Sequence, residues 1–117
     1  MKLRIRGNSI RLRLTQNEIA ALRERGSVEE TVRFSPTSRL AYAIERGGEQ
    51  LGASFESGRI VVRVPDALAT DLCDTDRVGV EGTHGELRVL IEKDWQCLAP
   101  RDEDESDAFP HPRAPAK

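Results

Sequence analysis

Apolar and charged residues alternate through Leu3-Arg4-Ile5-Arg6 and again, in a shifted phase, through Ile10-Arg11-Leu12-Arg13-Leu14. Alternation with period two marks strands that bury one face. The phase breaks at Gly7-Asn8, a pair suited to a tight hairpin turn with positive φ at its first position. Folding there opposes Arg6 to Ser9, Ile5 to Ile10, Leu3 to Leu12 and Met1 to Leu14. All apolar pairs then share one face, so the register specifies itself. The other face sets Arg4 against Arg11 and Lys2 against Arg13, each like-charged pair costing on the order of 0.2–1 kcal/mol.

Thr15-Gln16-Asn17-Glu18 follows, a capping box whose side chains satisfy orphan backbone N–H groups. Ile19 and Leu22 supply the narrow apolar face of a short helix, and Gly26 is placed to stop it. Strand patterns continue with Val28, Val32 and Phe34 inward, then Leu40, Tyr42 and Ile44 after the turn Pro36-Thr37-Ser38. Glu30 interrupts this alternation, which predicts a bulge or a paired carboxylate. Leu51, Ala53 and Phe55 form the next strand, and Ile60, Val62 and Val64 the one after the turn Ser57-Gly58. Pro65-Asp66 opens a second helix with Leu68 and Leu72 inward. Val78 and Val80 begin a strand, Glu81 to Gly85 turns the chain, and Leu87, Val89 and Ile91 close the pattern.

The order is β-β-α-β-β, twice. Shifted by fifty residues, 10–28 overlays 60–78 without a gap, with Ile10, Arg13, Leu22 and Val28 on Ile60, Arg63, Leu72 and Val78. The matched order of turn, strand, helix and strand predicts an internal repeat. The expected fold is α+β and mostly β. It is a swapped-hairpin β-barrel of two ββαββ repeats (about 2–47 and 50–94) within a domain 1–94, followed by an acidic, proline-rich tail 95–117.

The residues Gly7-Asn8-Ser9-Ile10-Arg11-Leu12-Arg13-Leu14 resemble the start of AbrB/MazE-type swapped-hairpin proteins. Gly58 to Pro65 is similar to their strand-to-helix passage, and Asp76-Arg77-Val78-Gly79-Val80 to their strand opening. The first half departs from the pattern at Thr15, where the family has proline, and lacks Gly-Asp before Val28. The resemblance implies that each ββαββ unit is half of a barrel, here with both halves in one chain. It further implies DNA binding through basic residues of the first strands: Lys2, Arg4, Arg6, Arg11 and Arg13, with Asn8 at the turn and Arg63 as the counterpart of Arg13. The ends MKLRIRGNSIRLRLT and IEKDWQCL also resemble a small group of uncharacterised bacterial proteins.

Charge distribution bears on this more than the net charge of −2. Residues 1–14 carry five positive charges and no negative ones, whereas 15–99 carry ten positive and fifteen negative. In the second repeat Gly52, Ser54, Glu56 and Val61 occupy the places of Lys2, Arg4, Arg6 and Arg11, so a symmetric grip on a duplex is not expected. Arginine outnumbers lysine 15 to 3, so a solvated face reflecting codon composition is the competing reading.

Cys73, His84, Cys97 and His111 have no zinc-ligand spacing, and the acidic run 102–105 lacks the glycine of a calcium loop. Neither metal nor cofactor is expected, and no nucleophile or acid–base motif marks an enzyme. The N-terminus lacks the apolar stretch of a signal peptide, no run reaches membrane-spanning length, and two cysteines suit a reducing compartment. The expectation is a cytoplasmic, non-enzymatic binding protein, without membrane association, monomeric or weakly homo-oligomeric. Two readings of its partner stay open. One is a regulator holding DNA or another polyanion on the arginine hairpin. The other is an adaptor that docks a protein through Asp104, Glu105, Asp107 and Phe109 of the tail, since the resembled antitoxins wrap a partner with an acidic extension.

Overall fold

The computed structural model describes residues 1–95 and Phe109. Strand β1 (Lys2–Arg6) turns into β2 (Ser9–Leu14) in the register that the alternation specifies, with Lys2 opposite Arg13, Leu3 opposite Leu12 and Arg4 opposite Arg11. Gly7 takes φ 55° at the first turn position. Helix α1 (Gln16–Arg25) starts in the predicted capping box: the Thr15 hydroxyl accepts from Glu18 N at 3.4 Å, and Glu18 Oε1 accepts from Thr15 N at 2.9 Å. Gly26 ends it at φ 80°, in the left-handed region where a side chain is strained.

Strands β3 (Ser27–Ser35) and β4 (Ser38–Arg46) complete the first half. Strands β5 (Gly52–Glu56) and β6 (Arg59–Val64), helix α2 (Asp66–Asp74), and strands β7 (Gly79–His84) and β8 (Leu87–Lys93) form the second. Pro65 stands at the N-cap of α2, one position before the first helical residue.

Neither half forms a sheet alone. One sheet has the order β1-β2-β8-β7 and the other β3-β4-β6-β5, so each joins one hairpin of the first half to one hairpin of the second. The central pairs, β2 with β8 and β4 with β6, are parallel, and the remaining pairs are antiparallel. This is the swapped-hairpin layout, built twice within one chain. Backbone bonds repeat across it. Arg88 N donates to Asn8 O at 3.0 Å as Ala41 N does to Gly58 O at 2.9 Å, and Asp94 N donates to Leu14 O as Gly47 N does to Val64 O, both at 2.8 Å.

The core lies between the sheets and the two helices. Leu12, Leu14 and Leu22 from one half face Val62, Val64 and Leu72 from the other, with Ile44, Val89 and Ile91, all fully buried. Burying each such side chain contributes roughly 1.5–3 kcal/mol. The helices are held together by Arg23 of α1, which donates to Asp74 Oδ1 at 2.7 Å and to the Cys73 carbonyl. Ala69 and Cys73 join Leu72 in the buried face of α2, while Leu68 is only half-buried.

Three expectations about the core are corrected. Val32 and Phe34 remain 41% and 70% exposed, because β4 pairs with β6 only from Ala41 onward and the tip of the β3–β4 hairpin overhangs the sheet. Phe55 is 67% exposed although Ile60 opposite it is backed by Tyr42 of β4, because it stands near the end of the edge strand β5. Val78 is exposed and precedes β7, so the gap-free overlay ends before it. Glu30 causes no bulge: the register runs unbroken from Ser27 to Arg33, and its carboxylate is paired.

Candidate functional site

Pleating sends Lys2, Arg4 and Arg6 of β1 and Arg11 and Arg13 of β2 to the solvent side of the first sheet, opposite the side occupied by Leu3, Ile10, Leu12 and Leu14. The parallel neighbour β8 adds Arg88 opposite Ser9 and Glu92 opposite Arg13. Nothing in the sequence singles out Arg88, since only the β2–β8 register brings it to this face.

Carboxylates border the patch. Lys2 Nζ lies 2.9 Å from Asp94 Oδ2, Arg11 Nε 2.8 Å from Glu92 Oε1, and Arg88 Nη2 2.8 Å from Glu81 Oε2. They come from β7, β8 and the residue after it, so the charge dense in residues 1–14 is relieved from the far end of the chain. Basic side chains remain in the majority on this face.

Asn8 sits at the hairpin tip and donates through Nδ2 to Glu86 O at 2.7 Å, tying its own turn to the β7–β8 turn. Arg63 lies apart from the cluster, on the solvent side of the second sheet, 4.0 Å from Glu45. That sheet alternates its charges: Arg59 approaches Glu29 to 2.6 Å and Glu45 to 3.2 Å. Those two carboxylates raise the Arg59 guanidinium above its usual pKa.

Of the tail residues, Asp104, Glu105 and Asp107 lie outside the described residues, as do Cys97 and His111; Phe109 is almost fully exposed. His84 is a structural link, its Nδ1 accepting from Ala53 N at 3.0 Å between β7 and β5. Cys73 is a free, buried thiol whose pKa burial pushes up, against the opposing pull of Arg23 and Arg46. No group of three metal-ligating side chains occurs among the described residues, and no helix there is long and apolar enough to cross a membrane.

A groove of about 720 Å³ lies beside α1, lined by Leu14, Gln16, Ile19, Cys73, Lys93 and Trp95 among others. At the equivalent place in the other half Arg46 spans the gap, bonding Asp66 at 3.2 Å and Thr70 Oγ1 at 2.7 Å. Gln16 and Ala20 stand where Asp66 and Thr70 do, and Lys93 turns instead to the Thr75 carbonyl at 2.7 Å, its Nζ 5.9 Å from the Trp95 ring centre.

The fold and this face define a class: a mostly β, internally duplicated protein with a basic hairpin on one sheet and a charge-balanced second sheet. The chain belongs to the family of unknown function DUF7009, whose model matches residues 1–113. No curated protein and no solved structure matches it.

Proposed function

We propose that the protein is a non-enzymatic, cytoplasmic regulator that holds DNA or another polyanion on the β1–β2 face. One observation carries this reading. Five basic side chains, Lys2, Arg4, Arg6, Arg11 and Arg13, share the outer face of β1 and β2, with Lys2 opposite Arg13 and Arg4 opposite Arg11, and stay in the majority beside Asp94 and Glu92, whereas the corresponding face of the other sheet balances Arg59 and Arg63 with Glu29 and Glu45. Opposed like charges cost stability, so a face that keeps them gains most from an anionic ligand. The swapped-hairpin layout supports the resemblance to AbrB/MazE-type proteins, though function does not follow from fold. Phosphates would bind the arginines and supply affinity, with little sequence discrimination from an edge strand and one hairpin.

The test is a salt titration of binding to labelled duplex and single-stranded DNA. The expected result is low-salt affinity that weakens across all sequences in the Arg4→Ala/Arg11→Ala variant, with a log–log salt slope flatter by about 0.9 for each phosphate no longer neutralised. Absence of binding to every probe at low salt overturns the reading and favours an adaptor that docks a protein through its tail. The near-complete exposure of Phe109 is the observation that favours that second reading.

A further inference from the structure

Strand β3 is a nine-residue edge strand, while the other three edges, β1, β5 and β7, have five, five and six residues. Beyond Ala41 its hairpin continues as a two-stranded ribbon without β6 beneath it, with Val32 opposite Leu40 and Arg33 opposite Arg39. An isolated ribbon is marginal in water, and an exposed edge is a template for another strand. The β5 and β7 edges are closed on each other by Ala53 and His84. Edge β1 carries Lys2, Arg4 and Arg6 in a row, which repels its own copy. Among the described residues, edge β3 is neither closed nor uniformly charged over Thr31–Ser35, where every residue is exposed.

We propose that β3 is a dimerisation edge whose partner is a second copy of this chain, paired antiparallel about a twofold axis at Thr31. The inference is independent of the polyanion reading. Charge complementarity selects the occupant and the register. In this arrangement Glu29 faces Arg33 of the second copy and Arg33 faces its Glu29, with Thr31 against Thr31 between them on the same face. On the opposite face Val32 lies against Glu30, and the exposed Phe34, the bulged residue next to Arg33, flanks each end of the paired segment. Sliding one face-preserving step toward the N-terminus places Glu30 against itself, and one step the other way leaves no opposite-charge pair. Two steps that way oppose Arg33 to Arg33. The single irregularity in the β3–β4 pairing lies between Arg33 and Ser35, at Phe34, so the paired segment runs from Glu29 to Arg33 and ends there.

Glu29 already holds Arg59, but its side chain is 45% exposed and a carboxylate accepts more than one donor. A stable interface commonly buries about 1,600 Å² in total, and one strand pair with two flanking side chains covers less. The dimer is therefore concentration-dependent, and it weakens as salt screens the two charge pairs.

Sedimentation of the full chain over about 10 µM to 1 mM reads this directly, that range being where weak interfaces of this size associate. The wild type is expected to dimerise. Arg33→Glu alone and Glu29→Arg alone should each stay monomeric, because each puts like charges opposite one another twice. Mixed one to one, the two variants should form a heterodimer, since Glu29 and the new acid of the first then face the two bases of the second. Phe34→Ser should weaken the wild-type dimer at least about tenfold while leaving the charge pairs intact. Circular dichroism confirms that each variant folds, which matters for Glu29→Arg because it loses Arg59. A wild type that stays monomeric throughout overturns the proposal, as does a dimer that Phe34→Ser and Arg33→Glu leave unchanged.

Discussion

Val78 occupies the place in the second half that Gly26 holds in the first. Lys93 N donates to Val78 O at 2.9 Å, as Arg46 N does to Gly26 O at 2.8 Å. The residue that answers to Val28 is therefore Val80. Val28 pairs with Ile44, and Val80 with Ile91, the counterpart of Ile44. Residues 10–25 and 60–75 still overlay, with Leu22 and Leu72 both fully buried. Two residues are inserted between α2 and β7, where Arg77 folds back to bond Gly79 O at 3.0 Å and the Asp71 carboxylate.

The two valines should thus behave oppositely. Val80→Ala removes two buried methyl groups and is expected to cost about 2 kcal/mol in urea unfolding, from lost transfer energy plus a cavity. Val78→Ser, at 57% exposure, should stay within about 0.5 kcal/mol. A larger loss at Val78 than at Val80 would reinstate the gap-free alignment.

The insertion marks the limit of what local pattern encodes. Alternation sets the β1–β2 register residue by residue, and the capping box and Gly26 set the limits of α1, because both signals are local. Alternation says which face a residue takes, but not how far its strand outruns the neighbours. Phe34 holds an inward phase in the pattern yet reaches past the sheet, and Phe55 holds one on an edge strand that leaves it exposed. Val78 keeps a hydrophobic identity in an offset that the inserted turn has shifted. The basic face is legible strand by strand, whereas Arg88, Glu92 and Asp94 reach it through a parallel pairing across some eighty residues, which no local pattern encodes.

Arg63 offers a control for the proposed face, being the sequence counterpart of Arg13 on the other sheet. If DNA or another polyanion is held by β1 and β2, Arg13→Ala should weaken binding and flatten its salt slope by about 0.9. Arg63→Ala should leave both unchanged. Equal losses from the two substitutions would point to a diffuse charge effect instead of a face.

Two glycines of β7 carry different steric loads. A Cβ at Gly79 would meet Ile91 O at 2.8 Å and Glu92 Cγ at 2.9 Å, and the carbonyl is fixed by the strand ladder. A Cβ at Gly82 would meet only the Leu51 side chain, at 3.2 Å and beyond. Gly79→Ala is therefore expected to cost about 1–3 kcal/mol, as overpacking against backbone does, and Gly82→Ala less than about 1 kcal/mol. Thermal or urea unfolding of the pair checks the order.

Gly82 and Leu51 also show what the first half has made of the same place, where Glu30 and Met1 stand. The Met1 ammonium is clamped by the Glu18 and Glu30 carboxylates, and Tyr42 donates its hydroxyl hydrogen to Glu30 Oε2 at 3.1 Å or to Met1 O at 3.2 Å. Burial alone would depress the amine, but the bonds to Glu18 and Glu30 outweigh it and raise the group above its usual 8.0. Burial would likewise raise Glu18, yet the ammonium and the Thr15 backbone N–H hold it below its usual 4.5. The signs then follow from linkage. The amine's contribution is complete below pH 8.0 and is lost as pH rises through its higher folded value. The Glu18 contribution is complete above pH 4.5 and is lost as pH falls through its lower folded value. Stability should plateau between these limits and fall outside them. Acetylating the Met1 amine should lower the plateau by about 1 kcal/mol, discounted for partial exposure of the carboxylates, and remove the decline that the amine causes above pH 8. Glu18→Gln should reduce the acid-side decline and also weaken the α1 cap. Denaturant unfolding of the three proteins from pH 3 to 10 measures both limbs, and an acetylated chain with an unchanged basic limb would show that the clamp contributes nothing.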